Sequence, residues 1–180
     1  EVGGRIDSAG SVIEPLALDE EMLRGVLTRE RIEAVAIVLL NSHRADHHER
    51  RVSDIVKAAA NPRVWITLGH EISPELGYLA RIETALVDAA ISPILNRAMN
   101  QDRIPPDALA MRSDGGLCPA HTLRAPDAVL SGPAGGVLAV AAVAEQAGFA
   151  RAVGLDMGGT STDVCRVEVG DIPRREGDVE

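Results

Sequence analysis

The 180-residue sequence is poor in aromatic residues: one Trp, one Tyr and one Phe, 2% in all. A core without rings must be aliphatic, and Val/Ile strands under Ala/Leu helices are its natural form, an α/β layering. Basic runs are missing and the net charge is -9. Nonspecific binding to nucleic acid or to an anionic membrane is therefore not expected. A local phosphate site stays open, because backbone N–H groups hold phosphate without net positive charge. No apolar run reaches the roughly 18 residues of a membrane span, and no signal-peptide pattern is visible. The two cysteines, Cys118 and Cys165, form no CxxC pair. Free thiols in a reducing cytoplasm are the expected state. Glu1 stands where an initiating Met would be, so the chain reads as an internal piece of a longer one. Solenoid repeats and low-complexity segments are absent too.

What is present is globular: 46% hydrophobic and 25% charged residues. Gly3-Gly4 and Ser8-Ala9-Gly10-Ser11 mark turns around short strands, a small hairpin. Asp19 is placed to cap a helix over 20–29 with Met22, Leu23, Val26 and Leu27 on one face. The continuous run 34–40 suits a parallel strand covered on both faces. Asp46 is expected to cap a second helix with Glu49 as its reciprocal partner, and Val52, Ile55, Val56 and Ala59 form its apolar stripe. Residues 63–68 read as the next strand, which completes a strand–helix–strand crossover. Ser73-Pro74-Glu75 opens a long helix, 75–99, that Pro93 should kink or divide. Residues 107–111 form a short strand and 117–127 a connection. A helix over 134–147 is apolar all round, which predicts burial, and Gly148 closes it.

The chemistry concentrates in Val153–Val164. A short apolar run ends in Asp156; Gly158, Gly159, Thr160, Ser161 and Thr162 follow, then Asp163 and a second apolar run. This pattern predicts strand, tight turn, strand, with the turn built to hold phosphate. Gly158 and Gly159 allow positive φ and carry no Cβ to block a ligand. Their N–H groups, with those of Thr160 and Ser161, can line one concavity. Asp156 alone would repel phosphate; beside Mg²⁺ it becomes a ligand, and Asp163 can join it or orient the turn. An ordinary glycine hairpin would account for the glycines but gives no reason for an aspartate on each side. The turn is neither a Walker loop, lacking Gly-Lys-Ser/Thr, nor a Rossmann fingerprint.

The stretch Leu155–Asp163 resembles the phosphate loop of the hydantoinase A/5-oxoprolinase family (N-methylhydantoinase A-like). Ser131–Val137 is similar to that family's Ser-Gly-Pro-Ala segment. Ser113–Gly116 resembles its Ser-Asn-Gly-Gly turn with Asp114 in place of Asn, and His70–Glu75 resembles the segment before its long helix. The resemblance implies a partial actin-like ATPase (ribonuclease H-like) architecture of the α/β class, the end of one lobe plus the start of the second. Residues 1–74 would close the N-terminal lobe, 75–127 would be the interlobe helix and connection, and 128–180 would begin the second lobe. It implies ATP and Mg²⁺ as cofactors, with Asp156 as metal ligand, Asp156 and Asp163 as catalytic residues, and Gly158, Gly159, Thr160, Ser161, Thr162, Ser113, Gly115, Gly116, Ser131 and Gly132 around the nucleotide. The facing Asp-x-Gly-Gly-Thr loop would precede residue 1, and the adenosine contacts would follow residue 180. The implied activity is ATP-dependent ring opening of a small cyclic amide, a hydantoin or 5-oxoproline, with a hydantoinase B-type partner subunit. Two alternatives stand beside it: a subunit of an ATP-dependent ketone carboxylase, and a non-catalytic nucleotide-binding module. Asp114 can only accept hydrogen bonds and adds charge near phosphate, so it is expected to weaken nucleotide binding or to supply a metal ligand.

Other candidates read more simply. His43, His47 and His48 are expected to be solvated residues at a helix start rather than a metal cluster. His70-Glu71 is expected to be a loop capping pair rather than an acid/base pair. His121 has no obvious partner. Cys118 has no nearby His to mark it as a nucleophile.

Overall fold

A computed structural model of the chain describes residues 3–29, 32–73, 76–100 and 104–170. The chain divides into two compact units, Glu1–Ala98 and Met99–Glu180.

The first unit opens with an antiparallel hairpin, β1 (Gly3–Ile6) and β2 (Val12–Ala17). The Asp7 carboxylate folds its turn by accepting the N–H groups of Ala9 and Ser11 at 2.9 and 2.8 Å. Helix α1 (Glu20–Arg29) starts at Asp19, whose carboxylate accepts the Met22 N–H at 2.8 Å. Leu23 and Leu27 turn inward, one turn apart, but Met22 and Val26 are exposed. The buried stripe is narrower than expected because α1 lies at the edge of this unit's core.

Strand β3 (Ala34–Ile37) pairs in parallel with β4 (Trp65–Leu68), and α2 (His47–Ala59) is the crossover between them. Leu27, Ile37, Val52, Val56 and Leu68 form the core beneath. β3 stops short of the apolar run 34–40 because side chains take over its backbone. Glu49 accepts the Leu39 N–H at 2.7 Å, and Arg81 donates to the Leu39 carbonyl at 3.1 Å.

The expected capping box at α2 does not form. Asp46 makes no cap bond; its carboxylate takes the Arg50 guanidinium at 2.6 Å. Glu49 is 0% exposed and accepts the Leu39 N–H, the His70 N–H and the His70 imidazole. A buried carboxylate needs such donors, and three charge-assisted bonds outweigh the one exposed N–H a box would offer.

The short helix α3 (Gly69–Ile72) ends at Ser73, which is extended and lies well before α4 (Tyr78–Met99), so Ser73 does not cap the long helix. The expected helix start at Pro74-Glu75 lies outside the described residues. Pro93 does not divide α4. One turn away Asp88 anchors that stretch, accepting from Thr67 and Trp65 on β4 and from Ser92.

The second unit begins with the antiparallel pair β5 (Leu109–Met111) and β6 (Leu117–Pro119). Residues 117–119 were expected to be part of a connection; so short a strand carries no period in sequence. A 3₁₀ turn (Ala120–Thr122) and α5 (Ala125–Ala128) lead to α6 (Ser131–Gln146). α6 starts three residues before its expected position, since Pro133 falls in the first turn, where its missing N–H needs no partner. Gly148 closes it at φ 76°, with its N–H on the Glu145 carbonyl and the Phe149 N–H on the Ala144 carbonyl, a Schellman closure.

α6 covers one face of the antiparallel hairpin β7 (Arg151–Met157) and β8 (Thr162–Glu168). A Cβ on Gly154 would lie 2.5 Å from Val140 Cγ2 and 2.7 Å from Cys165 Sγ, so glycine is required there. Val167 is buried on that face, while Val153, Leu155, Met157 and Val164 on the other are exposed. The expected burial of α6 all round does not hold within this chain. Ala144 is its one buried residue, and Val143 is 65% exposed. The two-stranded sheet covers α6 on one side only, and a helix apolar all round needs cover on more than one.

Candidate functional site

The predicted strand–turn–strand forms. Asp156 stands directly opposite Asp163 and Met157 opposite Thr162, and Gly158 to Ser161 make the connection, closed by the Gly158 N–H on the Ser161 carbonyl at 2.9 Å. All of Asp156 to Asp163 is exposed. Neither Gly158 nor Gly159 takes the positive φ that was expected. Their glycine character acts through the missing Cβ. One added at Gly159 would meet nothing within 4 Å, and one at Gly158 only the Ser161 carbonyl at 3.5 Å. Among the described residues, the backbone N–H groups of Gly159, Thr160 and Ser161 have no backbone acceptor.

Ser113–Gly115 joins β5 to β6 as a three-residue hairpin loop closed by Arg112 and Gly116. The Gly115 N–H reaches the Arg112 carbonyl at 2.9 Å and the Arg112 N–H the Gly116 carbonyl at 2.8 Å. Gly115 sits at φ 82°, the left-handed position that ends such a loop, and its Cβ would press on Leu138 of α6 at 3.1 Å. Asp114 Oδ1 accepts the Gly116 N–H at 2.9 Å, and Oδ2 lies 3.1 Å from Arg112 Nη2. The carboxylate is folded back into its own turn, where an Asn carbonyl would accept the same bond. Ser113 donates through its N–H and hydroxyl to the Asp127 carbonyl, and its Oγ accepts the Leu130 N–H at 3.0 Å. It therefore ties the turn to the foot of α6. Ser131 caps inward, its hydroxyl on the Ala128 carbonyl at 2.8 Å.

Anchors along α6 order the pieces. Met111 lies against Gly135, Leu138 against Gly115 and Val140 against Gly154. From Gly154, the hairpin turn lies farther along β7, away from the α6 C-terminal residues that adjoin Arg151 and Ala152. The Ser113–Gly116 turn is joined to the start of α6 through the Leu130 N–H on Ser113 Oγ and packs on Leu138 of the same helix. Gly132 and Gly136 have no atom within 4 Å of an added Cβ, although glycine inside a helix costs about 1 kcal/mol against alanine. Packing within the chain does not explain them.

These residues fit a phosphate-bearing ligand with a hard cation. The turn offers free N–H donors and hydroxyls, and the end of α6 presents its N-terminal dipole. Asp156 and Asp163 are like charges directly opposite on one sheet face, a destabilising arrangement without a cation. Mg²⁺ takes one or two carboxylates and leaves its other positions to water and phosphate. Among the described residues no three His, Cys, Asp or Glu side chains are grouped to hold a metal ion, so an all-protein cage is not offered.

The first unit holds a network that the sequence did not disclose. His70 pairs with Glu49 at 2.6 Å through Nδ1, not with Glu71 as a capping pair; its Nε2 lies 3.5 Å from Asp46 and 3.6 Å from Glu71. Arg81, 0% exposed, donates to His43 Nδ1 at 2.7 Å. Burial first, then Arg81 and Arg44, lowers the His43 pKa below its ordinary value. His48 is buried rather than solvated, and its pKa is lowered by burial and then by His47. His47 is exposed. Arg50 beside Asp46 is the first cause holding that carboxyl below its usual value. The one signal in sequence was Glu49 itself, a carboxylate on the apolar side of an otherwise regular helix pattern. Cys118 and Cys165 are free and half-buried.

Known proteins resemble this chain along most of its length. The model of the hydantoinase/oxoprolinase family matches residues 81–178, and that of the family's N-terminal region matches 1–60. Caprolactamase subunit alpha of Pseudomonas jessenii is 36% identical over 179 residues, 91% of this chain and 25% of that protein. The 5-oxoprolinase of Saccharomyces cerevisiae is 32% identical over 158 residues, 82% of this chain and 12% of its own length. Among solved structures, nucleotide-free acetone carboxylase, from work on ATP-dependent acetone carboxylation, aligns with a TM-score of 0.77 at 26% identity, over 94% of this chain and 25% of that one. The ATP-dependent caprolactamase of P. jessenii aligns with a TM-score of 0.71 at 34% identity, over 92% of this chain and 25% of its own. The chain thus spans a quarter or less of these relatives.

Proposed function

The chain belongs to the hydantoinase/oxoprolinase family, and we propose that it forms part of the nucleotide site of an ATP-dependent cyclic-amide hydrolase. The observation that carries this reading is the exposed Gly158–Ser161 connection between the facing Asp156 and Asp163, in which the N–H groups of Gly159, Thr160 and Ser161 have no backbone acceptor. The N–H groups of Gly159, Thr160 and Ser161 would hold phosphate oxygens, with the hydroxyls of Thr160, Ser161 and Thr162 as further donors. Ser113, Gly115, Gly116, Ser131 and Gly132 would border the nucleotide. Asp156, with Asp163, would hold Mg²⁺, which when bound would neutralise phosphate charge. ATP would supply a phosphoryl group to the amide oxygen of a hydantoin or 5-oxoproline, with ADP leaving; the amide carbon would then take up water, the ring C–N bond would break to free the nitrogen, and a second water would release the phosphate. The contribution of these residues is positioning and charge stabilisation.

We assign residues 1–74 to the end of the N-terminal lobe of an actin-like ATPase, 75–127 to the interlobe helix and connection, and 128–180 to the start of the second lobe. The alpha-subunit relative supports a second, hydantoinase B-type subunit as partner. Two free thiols suit a cytoplasmic protein, and no helix among the described residues is long and apolar enough to cross a membrane.

In the full-length protein, ATP hydrolysis should rise when a cyclic amide is added. Asp156→Ala should lower turnover by about 10²-fold or more with an unchanged circular-dichroism spectrum. Near-normal turnover would remove Asp156 from the site. The likeness to acetone carboxylase raises one alternative, carboxylation of a ketone. It predicts stimulation by ketone with bicarbonate instead. A flat response to hydantoins, 5-oxoproline and ketones would leave a nucleotide-binding module without chemistry.

A further inference from the structure

Resting on the assignment of residues 128–180 to the start of a second lobe, we propose that the outer face of the β7–β8 hairpin is an interior surface of that lobe. In the full-length protein an amphipathic helix of the same polypeptide, from beyond residue 180, covers it. The hairpin has two unlike faces. The inner one, with Gly154, Cys165 and Val167, lies against α6. On the outer one Val153, Leu155, Met157 and Val164 are 70, 64, 72 and 66% exposed. Side chains alternate along a strand, so Val153, Leu155 and Met157 share this face, and Val164 stands directly opposite Leu155. A lone apolar residue at a surface is ordinary. Four neighbours forming one continuous patch mark a surface made to be covered. The charge lies at the rim, where Arg166, opposite Val153, pairs with Glu168.

The dimensions of the patch select its cover. Two strands lie about 4.8 Å apart and a helix with its side chains is about 10 Å wide, so one helix spans both. From Val153 to Met157 is about 13 Å, the length of about nine helical residues. α6 already supplies a helical layer on the inner face, and helices on both faces of a sheet complete an α/β unit. The length of the related chains supplies the source. The matched stretch is 25% of caprolactamase subunit alpha and 25% of the acetone carboxylase chain, so most of such a polypeptide lies outside it. The covering helix is apolar toward Leu155 and Val164 and polar where it passes Arg166 and Glu168.

The test uses the full-length protein alone, without nucleotide, and needs no substitution. Peroxide oxidation of Met157, followed by peptide mass spectrometry, should be at least about tenfold slower than in the same protein unfolded in urea. A rate within about twofold of the unfolded one means an open face and overturns the inference. Slow oxidation that turns fast on dilution means that a second copy sits on the face, and overturns it too. The occupant is identified by growing the protein with photo-leucine, a leucine analogue that cross-links its neighbours under light. Cross-links from position 155 should reach a segment of the same chain beyond residue 180 with an apolar residue every three or four positions. Cross-links confined to residues 1–180, or leading to another chain, overturn the inference. MgATP calorimetry on the same sample separates this inference from the nucleotide reading. Binding with Met157 open strikes the inference alone. No binding with Met157 protected and cross-linked as expected strikes the nucleotide reading and upholds the inference.

Discussion

The first unit keeps charged groups inside, and the second keeps them at its surface. Glu49 and Arg81 are wholly enclosed between β3, α2 and α4, and they satisfy the backbone where β3 ends. In the second unit the corresponding work is done by backbone. Gly115, Gly154 and the Gly158–Ser161 connection bring main-chain groups close to a helix or leave them open. Enclosed side-chain networks fix a geometry at high stakes, since every partner must be present. Glycine-built turns carry little stability but admit a ligand to their N–H groups. The contrast explains why the proposed chemistry sits in the second unit although the first holds more titratable side chains.

Removing one enclosed partner should give the largest effect. Glu49→Ala leaves the Leu39 N–H, the His70 N–H and the imidazole without an acceptor in a buried place. It should destabilise the first unit by about 3 kcal/mol. Trp65, the single tryptophan of the chain, reports this in a urea titration of the 180-residue chain. A midpoint unchanged by the substitution would mean that the network is not a stabilising unit.

Two glycines of the second unit separate packing from ligand approach. Gly154→Ala places a methyl 2.5 Å from Val140 Cγ2 and should cost about 1–3 kcal/mol by overpacking. Gly159→Ala meets no atom within 4 Å and needs no positive φ, so its stability should shift by less than about 0.5 kcal/mol. MgATP binding by the full-length protein should nonetheless weaken with Gly159→Ala. Thermal melts and calorimetry on both variants check the crossing pattern. Equal melting losses at the two positions would erase the distinction between a glycine that packs and one that stays open.

Much of this was legible in sequence, and the misses have a common cause. The crossover β3–α2–β4 and the Asp156–Asp163 hairpin followed from apolar runs separated by strong turn residues, signals local to a few positions. The Asp19 cap was equally local. Asp46 and Glu49 matched a capping box as well as Asp19 matched its cap, yet Glu49 answered to Leu39 and His70, 10 and 21 residues away. Propensity does not see such partners. The anchoring of Ser113 to Leu130 across 17 residues was invisible for the same reason. The apolar circumference of α6 predicted burial, and that does not hold within this chain, where Ala144 alone is buried and the two-stranded sheet covers one side of the helix.

The smallest expected effect is a pH dependence confined to the first unit. His43 and His48 both have pKa values lowered from 6.5, by burial first and then by Arg81 and Arg44 at His43 and by His47 at His48. Below pH 6.5 the unfolded chain therefore binds more protons at these positions than the folded one, and stability must fall as pH falls. Above that value both histidines are neutral in either state and add no slope. Asp46, with its pKa lowered from 3.8 chiefly by Arg50, acts in a separate and more acidic range. Its contribution is present above 3.8 and is lost as pH falls through the lowered value. The urea midpoint followed at Trp65 should be level from pH 8 to pH 7 and decline from pH 6.5 to pH 5. Replacing His48 by Gln should flatten part of that decline. The second unit has no such buried histidine among its described residues. Amide exchange of β7 and β8 should accordingly show no comparable loss of protection between pH 6.5 and pH 5 once corrected for intrinsic rates. A parallel loss in both units would mean that they unfold as one, and the division between enclosed charge and open backbone would then not be an energetic one.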